Sequence, residues 1–177
     1  LLAIVLLLVV GGIAKRKLVR SLWVLTSYKV APVRPTPKNK AFVIPGLGDK
    51  VQVHFDKLGV PHIKASNRED LARAVGFVHG AFRYFQMDML RRVATGRLSE
   101  IVGKQPLLAS STVAFDRAMR GWGFAERSAA NLGKLPASQK KLYASYCAGV
   151  NAAVKRYKPI EYKLLGLTPE PWTPKDM

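Results

Sequence analysis

Three histidines, one cysteine and a group of arginines are the residues of this 177-residue chain whose types could do chemistry. His54, His62 and His79 could ligate a metal or move protons, but they share no metal-ligand spacing. His54 and His62 could still meet across a hairpin; the competing reading, histidines satisfied where they stand, is the one the spacing favours. Cys147 with a distant histidine could make a thiol nucleophile. Its place in a helical run beside Tyr146, Ala148 and Gly149 points instead to a small buried packing residue. Arg91, Arg92 and Arg97 could bind an anion, or be spent on salt bridges to Asp88 and Glu100, the reading preferred here. Phe82, Tyr84 and Phe85 could stack on bases, yet two of the three fall on an apolar helical face and read as core. No glycine-rich phosphate loop follows a strand, and there is no G-x-S-x-G elbow. Taken alone, the polar residues assemble no active site.

The elements that must position them follow from periodicity. Val51 to Phe55 alternates apolar and polar, Asp56-Lys57-Leu58-Gly59 is a turn, and Val60 to Ala65 returns as a second strand with Pro61 near its start. Ser66 to Glu69 matches a capping box, with Ser66 at the cap and Glu69 three residues on. Behind it Leu71, Val75, Val78, Phe82, Phe85, Met89 and Val93 step by three and four, which predicts the inner face of a long helix ending near Gly96. Thr112 to Leu132 reads as helix broken at Gly121-Trp122-Gly123. A further helix, capped by Ser138, runs to about Tyr157 with Leu142, Tyr146, Gly149, Val150, Ala153 and Tyr157 inward. Lys155 and Arg156 suit its negative end and Pro159 stops it. The tail from Thr168 to Pro174 reads as rigid and extended.

Upstream of the strands the chain changes character. Leu1–Ala14 is apolar throughout and is followed by Lys15, Arg16, Lys17 and Arg20. As a helix it would span roughly 21 Å, short of a bilayer core of about 30 Å. Gly12-Ile13-Ala14 offers small residues at the spacing of a signal-peptidase site, so a removable export signal competes with an uncleaved anchor. Basic residues just after the apolar run resist translocation, which complicates both. Residues 1–28 are thus read as a signal or membrane-anchor segment with a basic flank, and 29–41 as a Pro/Lys-rich linker.

A net charge of +18 invites an anionic partner, nucleic acid or a membrane surface. No basic cluster past Lys50 is dense enough to define a groove, so no nucleic-acid partner is expected. With 49% hydrophobic residues a core is available, and with Cys147 alone neither an internal disulfide nor a cysteine metal cluster can form.

An ordered set of segments adds a family. Ile44-Pro45-Gly46-Leu47 precedes the first strand, and Asp56 to Ile63 reads DKLGVPHI. Then come Asp70-Leu71, Ala74, Gly76-Phe77-Val78-His79, Arg83 to Met89, Arg91-Arg92 and Gly96-Arg97-Leu98-Ser99-Glu100. Tyr146 to Ala152 (YCAGVNA) and Leu164 to Asp176 (LLGLTPEPWTPKD) complete the set. Together they resemble the start of the α chain in penicillin acylases, self-processing amidohydrolases with an N-terminal nucleophile. Phe82 departs from the family pattern, which places an acid before the residue that is Arg83 here, so a local ion pair or hydrogen bond is expected to be missing.

The resemblance implies an α+β fold, with residues 42–177 an incomplete α-chain fragment, mostly helical after an initial β-hairpin, of an αββα N-terminal-nucleophile hydrolase. It implies a precursor (zymogen) that cleaves itself, the new N-terminal Ser of the β chain becoming the nucleophile. The nucleophile, its α-amino base and the oxyanion donors are then expected downstream of Met177, so no catalytic, cofactor-binding or metal-ligating residue is assigned within this chain, and the fragment is expected to be inactive alone. Pocket residues and a calcium-ligating acid are expected on a helix after Asp176, calcium belonging to the complete enzyme. The implied partners are the β chain of the same precursor, an acyl-amide substrate of penicillin, cephalosporin or acyl-homoserine-lactone type, and a membrane through Leu1–Ala14, with an exported, periplasmic or membrane-anchored location. The alternative reading is a non-catalytic, basic, membrane-tethered binding module. A downstream reading frame running on to a small residue followed by Ser, Thr or Cys would favour the enzyme.

Overall fold

A computed structural model describes residues 44–107 and 110–177. The apolar leader (1–28) and the linker (29–41) lie outside these residues; among the described residues no helix is long and apolar enough to cross a membrane. The architecture is α+β and mostly helical. Strands β1 (Gln52–Phe55) and β2 (Pro61–Lys64) form an antiparallel hairpin, followed by the long helix α1 (Arg68–Ala94). Next come α2 (Ser99–Val102), a ribbon of β3 (Pro106–Leu107) and β4 (Ser110–Ser111), α3 (Thr112–Gly121) and α4 (Phe124–Lys134). Helices α5 (Ala137–Tyr157) and α6 (Ile160–Leu165) and a 3-10 turn (Pro174–Asp176) complete the chain.

The described residues divide into two compact units, with α1 contributing to the first up to Tyr84 and to the second from Phe85. The first unit joins the hairpin, the front of α1, α5 and the tail. Asp56 closes the hairpin turn, its Oδ1 accepting from the amides of Leu58 and Val60, each at 2.9 Å, while Gly59 takes a φ of +79° that favours glycine. Ile44, Phe77, Ala81 and Ala153 form a buried apolar cluster flanked by Leu47, Phe82, Ala152 and Tyr157. Burying a side chain of the size of Phe77 stabilises by about 1.5–3 kcal/mol.

In this unit α1 and α5 meet almost backbone to backbone. A Cβ on Gly76 would lie 2.1 Å from the Tyr146 carbonyl oxygen, and one on Gly149 would lie 2.0 Å from that of Arg73. The tail is held by Asn151, whose Nδ2 donates to the Trp172 carbonyl at 2.9 Å and whose Oδ1 accepts from the Trp172 amide at 2.8 Å. Tyr84 adds a hydroxyl bond to the Glu170 carbonyl and an edge contact to the Trp172 ring. One side-chain amide thus replaces a neighbouring strand for a proline-rich segment that cannot form a regular ladder.

Three sequence expectations shift. Asn67 rather than Ser66 caps α1: its Oδ1 accepts from the Asp70 amide at 2.8 Å and its Nδ2 donates to the Asp70 carboxylate at 2.7 Å. Asp70 wins the position because its carboxylate also accepts from the amides of Gly48 and Asp49, each at 2.9 Å. Helix α5 starts at Ala137 behind Pro136, whose carbonyl accepts from Gln139 and Lys140, so Ser138 lies inside the helix and not at its cap. The buried face of α1 is also rotated. Of the apolar stripe only Val78 is buried, and Leu71 is exposed, whereas Asp70, Ala74, Phe77, Ala81, Tyr84, Asp88 and Arg91 are buried. Small residues admit the neighbouring backbone on that side, and a polar network claims the rest.

Candidate functional site

Three buried carboxylates organise the polar interior. In the second unit Asp88, fully buried on α1, accepts from Arg91 (Nε, 2.9 Å, and Nη2), from Arg92 Nε at 2.9 Å and from the hydroxyl of Tyr162 on α6. The spacing does the work: three and four residues along a helix return to the same face. Burial pushes the Asp88 carboxyl up, but the hydrogen bonds from Tyr162, Arg92 and Arg91 outweigh it and hold it below the usual carboxylate value. Arg92 also donates to Glu100 at 2.5 Å, and Arg97 reaches Glu100 through Nε at 2.9 Å and Nη2 at 2.8 Å. Phe85 meets the Tyr162 ring edge-on at 5.8 Å.

Asp116 on α3 is the second anchor. It accepts from the amides of Leu98 (2.9 Å) and Ser99 (2.8 Å) and from the Ser99 hydroxyl. Gly96 makes the approach feasible: its φ is +64°, and a Cβ there would sit 2.3 Å from the Asp116 carbonyl oxygen. Asp70 is the third anchor, and the amide of Gly48, the Asn67 side chain and the amide of Asp49 hold its carboxyl below the usual value. All three carboxylates are thus committed to donors that join separate segments.

The residues singled out from sequence are not gathered into one site. His54 and His62 do face each other across the hairpin, in register with ring centroids 6.3 Å apart, and His62 Nε2 lies 3.2 Å from Asp56. His79 is elsewhere on α1, its Nδ1 at 2.9 Å from the Tyr146 hydroxyl, and partial burial lowers its pKa. Cys147 is buried and its thiol is pushed up to about 12, chiefly by desolvation, so it is protonated and unreactive at neutral pH. Arg91, Arg92 and Arg97 form the ion pairs read from sequence. Tyr84 is core, while half-buried Phe82 packs its ring 5.5 Å from Phe55, an apolar contact to β1. Among the described residues no group of three or more His, Cys, Asp or Glu could hold a metal ion. Asp116 was missed in the sequence because its partners are backbone amides far along the chain. What the arrangement does is join helices and loops through committed polar groups.

The family model for penicillin amidase matches residues 50–177. Penicillin acylase 2 proenzyme from Pseudomonas sp. (strain SE83) is 42% identical over 140 residues, which cover 78% of this chain and 17% of that protein. An acyl-homoserine lactone acylase, QuiP, from Pseudomonas syringae pv. tomato is 34% identical over 82% of this chain and 17% of its own length. The chain therefore spans about 17% of the length of these curated relatives. Among solved structures, the thermostable penicillin G acylase from Alcaligenes faecalis superposes with a TM-score of 0.63 at 28% identity, covering 72% of this chain and 67% of that chain. With the family model spanning the hairpin from just before β1 and every helix described above, the chain belongs to the penicillin amidase family.

Proposed function

We propose that this chain is the α-chain portion of a self-processing amidohydrolase precursor that removes the acyl group from a linear amide of penicillin, cephalosporin or acyl-homoserine-lactone type. The observation that carries the reading is a contrast of lengths. The chain covers 67% of the solved acylase chain but only 17% of the proenzyme, so the solved chain is several-fold shorter than that precursor. A family member in which this region stands as a separate short chain is what cleavage of a proenzyme yields.

In the complete protein, an N-terminal hydroxyl on the β chain attacks the amide carbonyl while its own α-amino group takes the proton. Backbone or side-chain donors hold the oxyanion, the amine leaves with the proton, and water releases the acid from the acyl-enzyme. This fragment supplies helices that wrap the sandwich of the αββα fold and part of the acyl pocket wall. Calcium in the complete enzyme would draw its ligands from outside the described residues. Leu1–Ala14 directs the protein to export or to the membrane. The binding-module alternative gains nothing from the arginines at 91, 92 and 97, which are committed to carboxylates.

Expression of the complete reading frame tests the reading. Two chains are expected by mass spectrometry, the smaller containing residues 50–177, together with hydrolysis of benzylpenicillin, a cephalosporin or a long-chain acyl-homoserine lactone. A stable single chain that hydrolyses none of these would overturn it.

A further inference from the structure

We propose that the polar face of the β1–β2 hairpin binds a divalent first-row transition cation, with His54 and His62 as its two protein ligands, Asp56 orienting His62, and water completing the shell. Alternation divides the hairpin into two faces. Val53, Phe55 and Ile63 are half-buried, with Phe55 against Phe82 of α1, while Gln52, His54, His62 and Lys64 are exposed. Antiparallel register places His54 directly opposite His62. Such a pair has its Cβ atoms about 4.5–5.5 Å apart, a gap that two imidazoles can close through one cation.

The ring centroids are 6.3 Å apart, with their planes inclined by 36°. With a metal–nitrogen bond of about 2.0–2.1 Å, each centroid stands about 3 Å from a shared metal. Tetrahedral coordination then sets the centroids roughly 5 Å apart, a closure of about 1 Å that exposed side chains make by rotation. Lys64, one pair further along the same face, adds a positive charge about 7 Å along the strands, a modest repulsion in water beside two coordinate bonds.

The second observation is the carboxylate behind His62. Asp56 Oδ2 lies 3.2 Å from His62 Nε2, and Asp56 Oδ1 is fixed by the amides of Leu58 and Val60. The bond from the Val60 amide, then that from His62, hold the Asp56 carboxyl below its usual value, so it is ionised and can only accept. His62 Nε2 therefore donates, and in the neutral ring the lone pair falls on Nδ1. A carboxylate on one ring nitrogen and a metal on the other is the arrangement that fixes the tautomer of most ligating histidines. Imidazoles suit zinc, copper and nickel, whereas calcium demands a shell of oxygens that this pair does not supply. The inference does not rest on the amidohydrolase reading.

Zinc titration of the complete protein by isothermal calorimetry, beside His54→Asn, His62→Asn and Asp56→Asn, tests it. Wild type should take up one more zinc ion than either histidine variant, and Asp56→Asn should keep the site with about tenfold weaker affinity. Both histidines are exposed, so circular dichroism should be alike in all four proteins. A measurement on wild type alone stands beside this. Oxidation by Cu2+ and ascorbate, mapped by peptide mass spectrometry, should mark His54 and His62 several-fold faster than His79. Equal zinc uptake by wild type and the histidine variants overturns the proposal, as does equal oxidation of the three histidines. Unchanged zinc affinity in Asp56→Asn overturns the role given to Asp56.

Discussion

Between Ala74 and Ala81, α1 buries small and apolar side chains against α5, with Gly76 and Gly80 admitting the neighbouring backbone. Between Asp88 and Arg92 the same helix buries one carboxylate and two guanidiniums and closes them with Tyr162. The first stretch gains from dispersion and exclusion of water, and it has little freedom in shape. The second gains from charge-assisted hydrogen bonds that offset a large desolvation penalty, and it has little freedom in composition. A substitution that one stretch tolerates should therefore damage the other.

The largest effect is expected at Asp88. Asp88→Ala leaves Arg91 and Arg92 buried without their shared partner and should cost about 3–5 kcal/mol, read as a lower denaturant midpoint in the complete protein. The pH dependence sharpens the point. The folded pKa of Asp88 lies below its unfolded value, so its contribution is present above the ordinary carboxyl value of about 3.9 and is lost as pH falls through the folded pKa. Asp88→Asn should flatten that acid limb relative to wild type. An unchanged midpoint in Asp88→Ala would show that the network is incidental to stability.

Next is Gly149. Its added Cβ would meet the Arg73 carbonyl oxygen at 2.0 Å and the Phe77 amide nitrogen at 2.8 Å, and backbone cannot rotate aside as a side chain can. Gly149→Ala should cost about 1–3 kcal/mol although alanine favours helix, with Gly149→Leu worse. A stabilised Gly149→Ala in thermal melts would break the contrast, because helix propensity would then outweigh packing.

The smallest effect is expected at Tyr146. Tyr146→Phe removes the hydroxyl that meets His79 Nδ1 at 2.9 Å and should shift stability by about 0.5–1.5 kcal/mol. A loss as large as that of Asp88→Ala would mean that the contact of α1 with α5 also depends on a polar pair.

The hairpin, the long helix, the break at Gly121–Gly123 and the inner face of α5 were legible in the sequence, because each follows from short-range periodicity or from glycine and proline. The Asp88–Arg91–Arg92 pairing was legible for the same reason, the partners being one helical turn apart. The helices α2 and α6 and the β3–β4 ribbon were not, since each is too short to display a period. The family was legible as well, from ordered segments whose physical roles now have partners: the Asn of YCAGVNA, Asn151, holds the Pro-Trp tail, and GRLSE is bound by Arg92 and Asp116.

By itself, then, the sequence determined the type and order of the long elements, since these depend on backbone preferences and spacing within a few turns. Only the tertiary structure decided which face of α1 is buried, that Asn67 and not Ser66 caps it, and that Asp116 pins Leu98 and Ser99. The physical reason is common to all three. A side chain whose partners are backbone groups on another segment leaves no periodic trace, and a glycine that admits a neighbouring helix looks, in one dimension, like a weak point in its own.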